Sequence, residues 1–129
     1  MHVDREEYFK AVVVTHILEY DPEKALKLLC DHYRVPLPKL GVGVFKGRSK
    51  EVRAVYSGAK KEIRAARREY LYDPFVIIHE FYHHLRSVGG EHRGTEKNAD
   101  KFALDFIGAY NRVATALSRG KSEKRDKIG

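Results

Sequence analysis

Hydrophobic and polar positions change rhythm twice along this chain. Residues 3–20 carry apolar side chains at near-helical spacing and stop at Asp21-Pro22, where proline cannot follow inside a helix. A second helix starts there, with Asp21 as N-cap and Pro22 in its first turn, and runs to about Arg34. Val35-Pro36-Leu37-Pro38 closes it. The rhythm then shortens to the stretches 41–45, 51–56 and 62–67, separated by Gly47-Arg48-Ser49-Lys50 and Ser57-Gly58-Ala59-Lys60. That pattern predicts a three-stranded antiparallel meander. Ala65-Ala66 and the neighbouring arginines favour a helix over 59–70 instead, but the Ser-Gly-Ala-Lys segment reads as a hairpin turn and tips the choice to strand.

Helical spacing returns at Asp73-Pro74, which repeats the cap and first-turn pattern, and ends near Val88 before Gly89-Gly90. Thr95 can cap a last helix from Glu96 to about Leu117. Its apolar positions Ala99, Phe102, Ala103, Phe106, Ile107 and Tyr110 recur at intervals of three and four. Residues 119–129 have the composition of a basic, disordered tail. The expected fold class is therefore α+β, one domain over residues 1–118: N-terminal helices, a small antiparallel three-stranded sheet, then two further helices.

Composition narrows the function classes. The chain has 129 residues, one cysteine and no apolar run long enough to span a bilayer, and its charged N-terminus is no signal peptide. A cytoplasmic protein without disulfides is expected. Charged residues make up 33%, glutamine is absent, and asparagine occurs only at Asn98 and Asn111, a balance typical of hyperthermophile proteins. The net charge of +7 is concentrated in residues 60–68 and 119–127. No nucleic-acid motif or interleaved aromatic accompanies these runs, so they read as a solvated face and a tail.

The chemistry sits in "HEFYHH", residues 79–84. His79 and His83 are four apart and share one helix face, so their ring nitrogens can converge on one ion. Glu80 is turned by about 100°, near enough to serve a metal-bound water as general base without being a ligand. By accident the pattern arises in roughly one in thirty chains of this composition. A catalytic zinc site needs a third protein ligand, and Glu96, opening the next helix, is the best placed. Asp100, one turn further on, can accept the second ring N–H of a ligating histidine. Ala99 and Ala103 are small enough to let the two helices approach closely. Arg86 and Gly89 occupy the positions where a third-histidine motif would need glycine and histidine, so that variant fails. His84 reads as a partly exposed bystander, and His2, His16 and His32 have no ligand spacing. His92 and Arg93 could face the site, and Tyr72, Tyr82, Tyr110 and His92 are conceivable oxyanion donors, although packing or exposure is the simpler role for each.

His79-Glu80-Phe81-Tyr82-His83 followed by Glu96-Lys97-Asn98-Ala99-Asp100 resembles the gluzincin metallopeptidases, whose pattern is H-E-x-x-H with a downstream E-x-x-x-D. The resemblance implies His79, His83 and Glu96 as ligands of one Zn2+ per chain, Glu80 as general base and acid, and Asp100 behind His79. Size and element order look most like the archaeal minigluzincins, minimal soluble scaffolds, which implies a zincin-like domain. Residues 96–103 are also similar to the ImmA/IrrE-type peptidases. The resemblance further implies a peptide or protein substrate laid along a sheet edge over the zinc. It also raises latency, with residues 121–129 as a segment that could fill the cleft. Two other classes stay open: a metal-bound regulatory or toxin–antitoxin-like module with little turnover, and a basic nucleic-acid-binding protein whose histidines are incidental.

Overall fold

A computed structural model describes residues 4–43, 52–88 and 94–128, with side chains to residue 119. Its described elements are four α-helices and one three-stranded mixed sheet, an α+β fold. Helix α1 (Arg5–Leu18) starts where the Asp4 side chain accepts the Glu6 N–H, and it ends as the backbone turns through Tyr20 at φ 67°. Helix α2 (Pro22–Tyr33) is capped by Asp21, which accepts the Lys24 N–H at 3.1 Å, and it stops at Arg34 in the left-handed region.

Strands β1 (Lys39–Val42), β2 (Ala54–Ser57) and β3 (Glu62–Ala65) do not form the expected meander. The order is β1-β3-β2, with β2 antiparallel to β3 and β1 parallel to it. Only the β2–β3 link is short enough to dictate a hairpin, and there Lys60 N–H bonds Ser57 Oγ in the turn. The β1–β2 connection is long enough to carry the chain past β3, so it leaves the partner of β1 to packing. The inward Ile63 and Ala65, both 0% exposed, suit the central position. The rival helix over 59–70 does not form; a 3-10 turn occupies Arg68–Tyr72 instead. The expected turn at residues 47–50 lies outside the described residues.

Helix α3 (Pro74–Val88) packs against β2 and helix α4 (Glu96–Ile128), while α1 covers the other side of α4. Helix α4 runs on to Ile128 rather than stopping near Leu117. Residues 118–128 are rich in lysine and arginine, good helix formers, and a helix seated on a core extends without a new nucleus. The core joins Val13, Val14 and Ile17 of α1 to Leu26 and Leu29 of α2, Ile77, Ile78 and Phe81 of α3, and Ala103 and Phe106 of α4. Ala99 and Ala103, each 0% exposed, sit where α4 meets its neighbours. No helix among the described residues is long and apolar enough to cross a membrane.

Candidate metal centre

Two well-defined helix starts aim the site. Asp73 accepts the N–H groups of Phe75 and Val76 at 3.0 and 3.4 Å, which sets the phase of α3. From that start the helical period puts His79 and His83 on the stripe facing α4, and Glu80 and His84 on the adjacent stripe facing the sheet. At the head of α4, Thr95 Oγ1 accepts the Asn98 N–H at 3.1 Å. Gly94, just before it, has φ +81°, and a Cβ there would lie 2.4 Å from the Tyr82 ring. Only glycine permits that approach, and it delivers Glu96 onto α3.

Glu96 divides its carboxylate between the two histidines. Oε2 lies 2.8 Å from His79 Nε2, and Oε1 lies 2.9 Å from His83 Nε2. Donor atoms of the three residues all lie within 4.8 Å of one another, so the group can hold a metal ion. Its donor chemistry fits a borderline-soft divalent cation: two imidazoles presenting the same ring nitrogen, and one carboxylate from a facing helix. The His83 side chain is fully buried, whereas that of Glu96 is 69% exposed, which leaves the outer side of the cluster open to solvent.

Asp100 stands behind His79, its Oδ1 2.8 Å from Nδ1, although the ring N–H is not aimed squarely at that oxygen. An acceptor on that side supports a proton on Nδ1, which leaves Nε2 available to a metal ion. Glu80 is buried, with Oε2 3.7 Å from His79 Nε2, too long for a hydrogen bond. It borders a cavity of about 260 Å³ with Val52, Arg53, Ala54, Phe75, Val76, His79 and Glu96. The cavity is thus apolar on the strand and helix walls, with carboxylates at one end and an exposed guanidinium at its rim.

Compared with known proteins, the chain matches no family model, no curated protein and no solved structure. The geometry of its own residues therefore carries the functional reading.

His84 departs from expectation. It is 0% exposed rather than a partly exposed bystander. Its Nε2 lies 2.7 Å from the Pro36 carbonyl oxygen and its Nδ1 2.8 Å from Tyr56 Oη. A carbonyl only accepts, so Nε2 carries the proton and Nδ1 accepts from the tyrosine hydroxyl. Burial holds the ring below its ordinary value of 6.5, with Lys61 adding to the effect and the Pro36 bond opposing it. The sequence carried no sign of this link, because its partners lie 28 and 48 residues away.

The remaining candidates lie elsewhere. Tyr82 packs on Phe102 and His83, Tyr72 sits edge-on to Tyr20, and Tyr110 lies against the core; none of the three borders the cavity. His32 stacks on Phe9 with ring centroids 4.1 Å apart, and His16 is part of α1. His2, His92 and Arg93 lie outside the described residues. Cavity-lining Val52, Arg53 and Ala54 had no signal in the sequence, because nothing local ties that strand to α3.

Proposed function

We propose that this chain is a zinc-dependent metallopeptidase of the gluzincin type, with a zincin-like domain most similar to the minigluzincins. The observation that carries the reading is the convergence of His79 Nε2 and His83 Nε2 on the two oxygens of Glu96, with Glu80 buried beside them at the cavity wall. Two histidines and a glutamate are the protein ligands of catalytic zinc sites that keep a position open, and zinc there supplies an acidified water and a polarised carbonyl.

The chain's own residues supply the rest. His79, His83 and Glu96 hold the ion, and Asp100 keeps His79 in the tautomer that presents Nε2. Glu80 stands outside the converging set, and its carboxylate is the group that takes a proton from water and returns it to the departing amine. Among the described residues strand β2 is an edge of the sheet, and residues at its start line the cavity. An extended peptide can pair along that edge and lay one apolar side chain against Val52, Ala54, Phe75 and Val76.

The test compares zinc-loaded wild type with Glu80→Gln on a broad peptide library. Glu80→Gln is expected to bind zinc normally and lose at least about a hundredfold in kcat. Cleavage that survives the substitution rules out the role given to Glu80. A wild type that binds zinc and cleaves nothing turns the reading toward a regulatory metal module.

A further inference from the structure

Glu80 and His84 are four residues apart and lie on one stripe of α3, beside the His79 and His83 stripe. Ala54 and Tyr56 are two apart on β2 and so point to the same face of the sheet. One pair meets directly, Tyr56 Oη reaching His84 Nδ1 at 2.8 Å, and the other two residues, Ala54 and Glu80, line the same cavity. The spacings agree, since four helical residues advance about 6 Å and two strand residues about 6.6 Å.

Apolar packing of Ile77, Ile78 and Phe81 seats α3 in the core, and polar contacts differ on its two sides. Toward α4, the Glu96 carboxylate is 69% exposed and belongs to the first residue of its helix. Toward the sheet, His84 is 0% exposed and has both ring nitrogens engaged, one by β2 and one by the Pro36 carbonyl. A stiff helix that turned about its axis would carry Glu80 and His84 together. The sheet-side rung therefore bears on where the Glu80 side chain leaves the helix along the cavity wall.

We propose that His84 and Tyr56 are positioning residues that set Glu80 against strand β2 by fixing the rotation of α3. The proposal rests on the zinc-peptidase reading: its kinetic arm needs turnover, and its hydroxamate arm needs bound zinc alone. Tyr56→Phe removes just the hydroxyl. His84→Gln carries an amide able to reach the Pro36 carbonyl but not Tyr56, and His84→Asn keeps the opposite contact.

With the full zinc-loaded chain, kcat per bound zinc, KM, zinc affinity and acetohydroxamic acid affinity are measured for each variant. Tyr56→Phe and His84→Gln are expected to lower kcat about tenfold while KM and zinc affinity stay within about twofold. His84→Asn is expected to retain most of the wild-type kcat. Hydroxamate binding needs no turnover but needs a carboxylate placed to accept its proton; it should weaken in Tyr56→Phe and His84→Gln as it does in Glu80→Gln. Wild-type kcat per zinc in both Tyr56→Phe and His84→Gln overturns the positioning role and leaves the link a purely stabilising one. If wild type cleaves no peptide, the peptidase reading falls and the hydroxamate series decides alone: unchanged affinity in these two variants overturns the proposal, and weakened affinity supports it.

Discussion

The His79 ring and the Asp100 carboxylate face each other at 2.8 Å, Nδ1 to Oδ1, across the ring from the nitrogen that meets Glu96. One imidazole is thereby held between carboxylates from successive turns of α4. The arrangement orients the ring toward a metal. Asp100→Asn is expected to weaken zinc binding by about 10- to 100-fold. Competition with a chelator of known affinity measures it, and an unchanged constant would remove Asp100 from the site.

Glu96→Ala takes away the carboxylate that meets both histidines. Zinc affinity should fall by about a hundredfold or more, and the rise in melting temperature that zinc gives the wild type should disappear. Calorimetric titration and thermal melts with and without zinc report this directly. Retained affinity would mean that another group completes the site.

Gly94 links the two helices sterically. Alanine there has a disfavoured φ of +81° and a Cβ 2.4 Å from the Tyr82 ring. Gly94→Ala should cost about 1–3 kcal/mol in urea unfolding and weaken zinc binding, because the head of α4 must shift. Adding Tyr82→Ala relieves the clash but not the backbone strain, so the double variant should recover less than the full loss relative to Tyr82→Ala alone.

His84 makes stability depend on pH. Its folded ring is held below 6.5, chiefly by burial, so the unfolded chain binds a proton more readily as pH falls. Stability from this group is complete above pH 6.5 and is lost as pH drops below it, by at most about 1.4 kcal/mol per pH unit. Urea melts of zinc-free protein from pH 8 to pH 5 should show a shallower slope for His84→Gln than for wild type. Equal slopes would assign the dependence to other groups.

Cys30 is 4% exposed, with Sγ 3.6 Å from the Pro36 carbonyl that also accepts from His84. Burial, aided by Asp31, pushes its thiol up to about 11. At pH 8 only about one thiol in a thousand is ionised, so alkylation of the native chain should be slow and should jump on unfolding. Iodoacetamide labelling followed by mass measurement gives both rates; rapid native labelling would contradict the burial of this side chain.

Much of the site was legible because its rules are local. Asp21-Pro22, Asp73-Pro74 and Thr95 mark helix starts through bonds made within three residues, and all three helices begin there. The spacing of His79 to His83, and of Glu96 to Asp100, places each pair on one helix face whatever the rest of the chain does. Other features depend on partners far apart in sequence. Which edge of β3 takes β1 follows from packing across a long connection, so the antiparallel meander read from turn residues gave way to a mixed sheet. Burial of His84 needed Tyr56 and Pro36, 28 and 48 residues away, to satisfy both ring nitrogens. Periodicity and capping state which side chains share a face; only the folded chain decides what that face meets, because pairing and desolvation are energies of contact between distant segments.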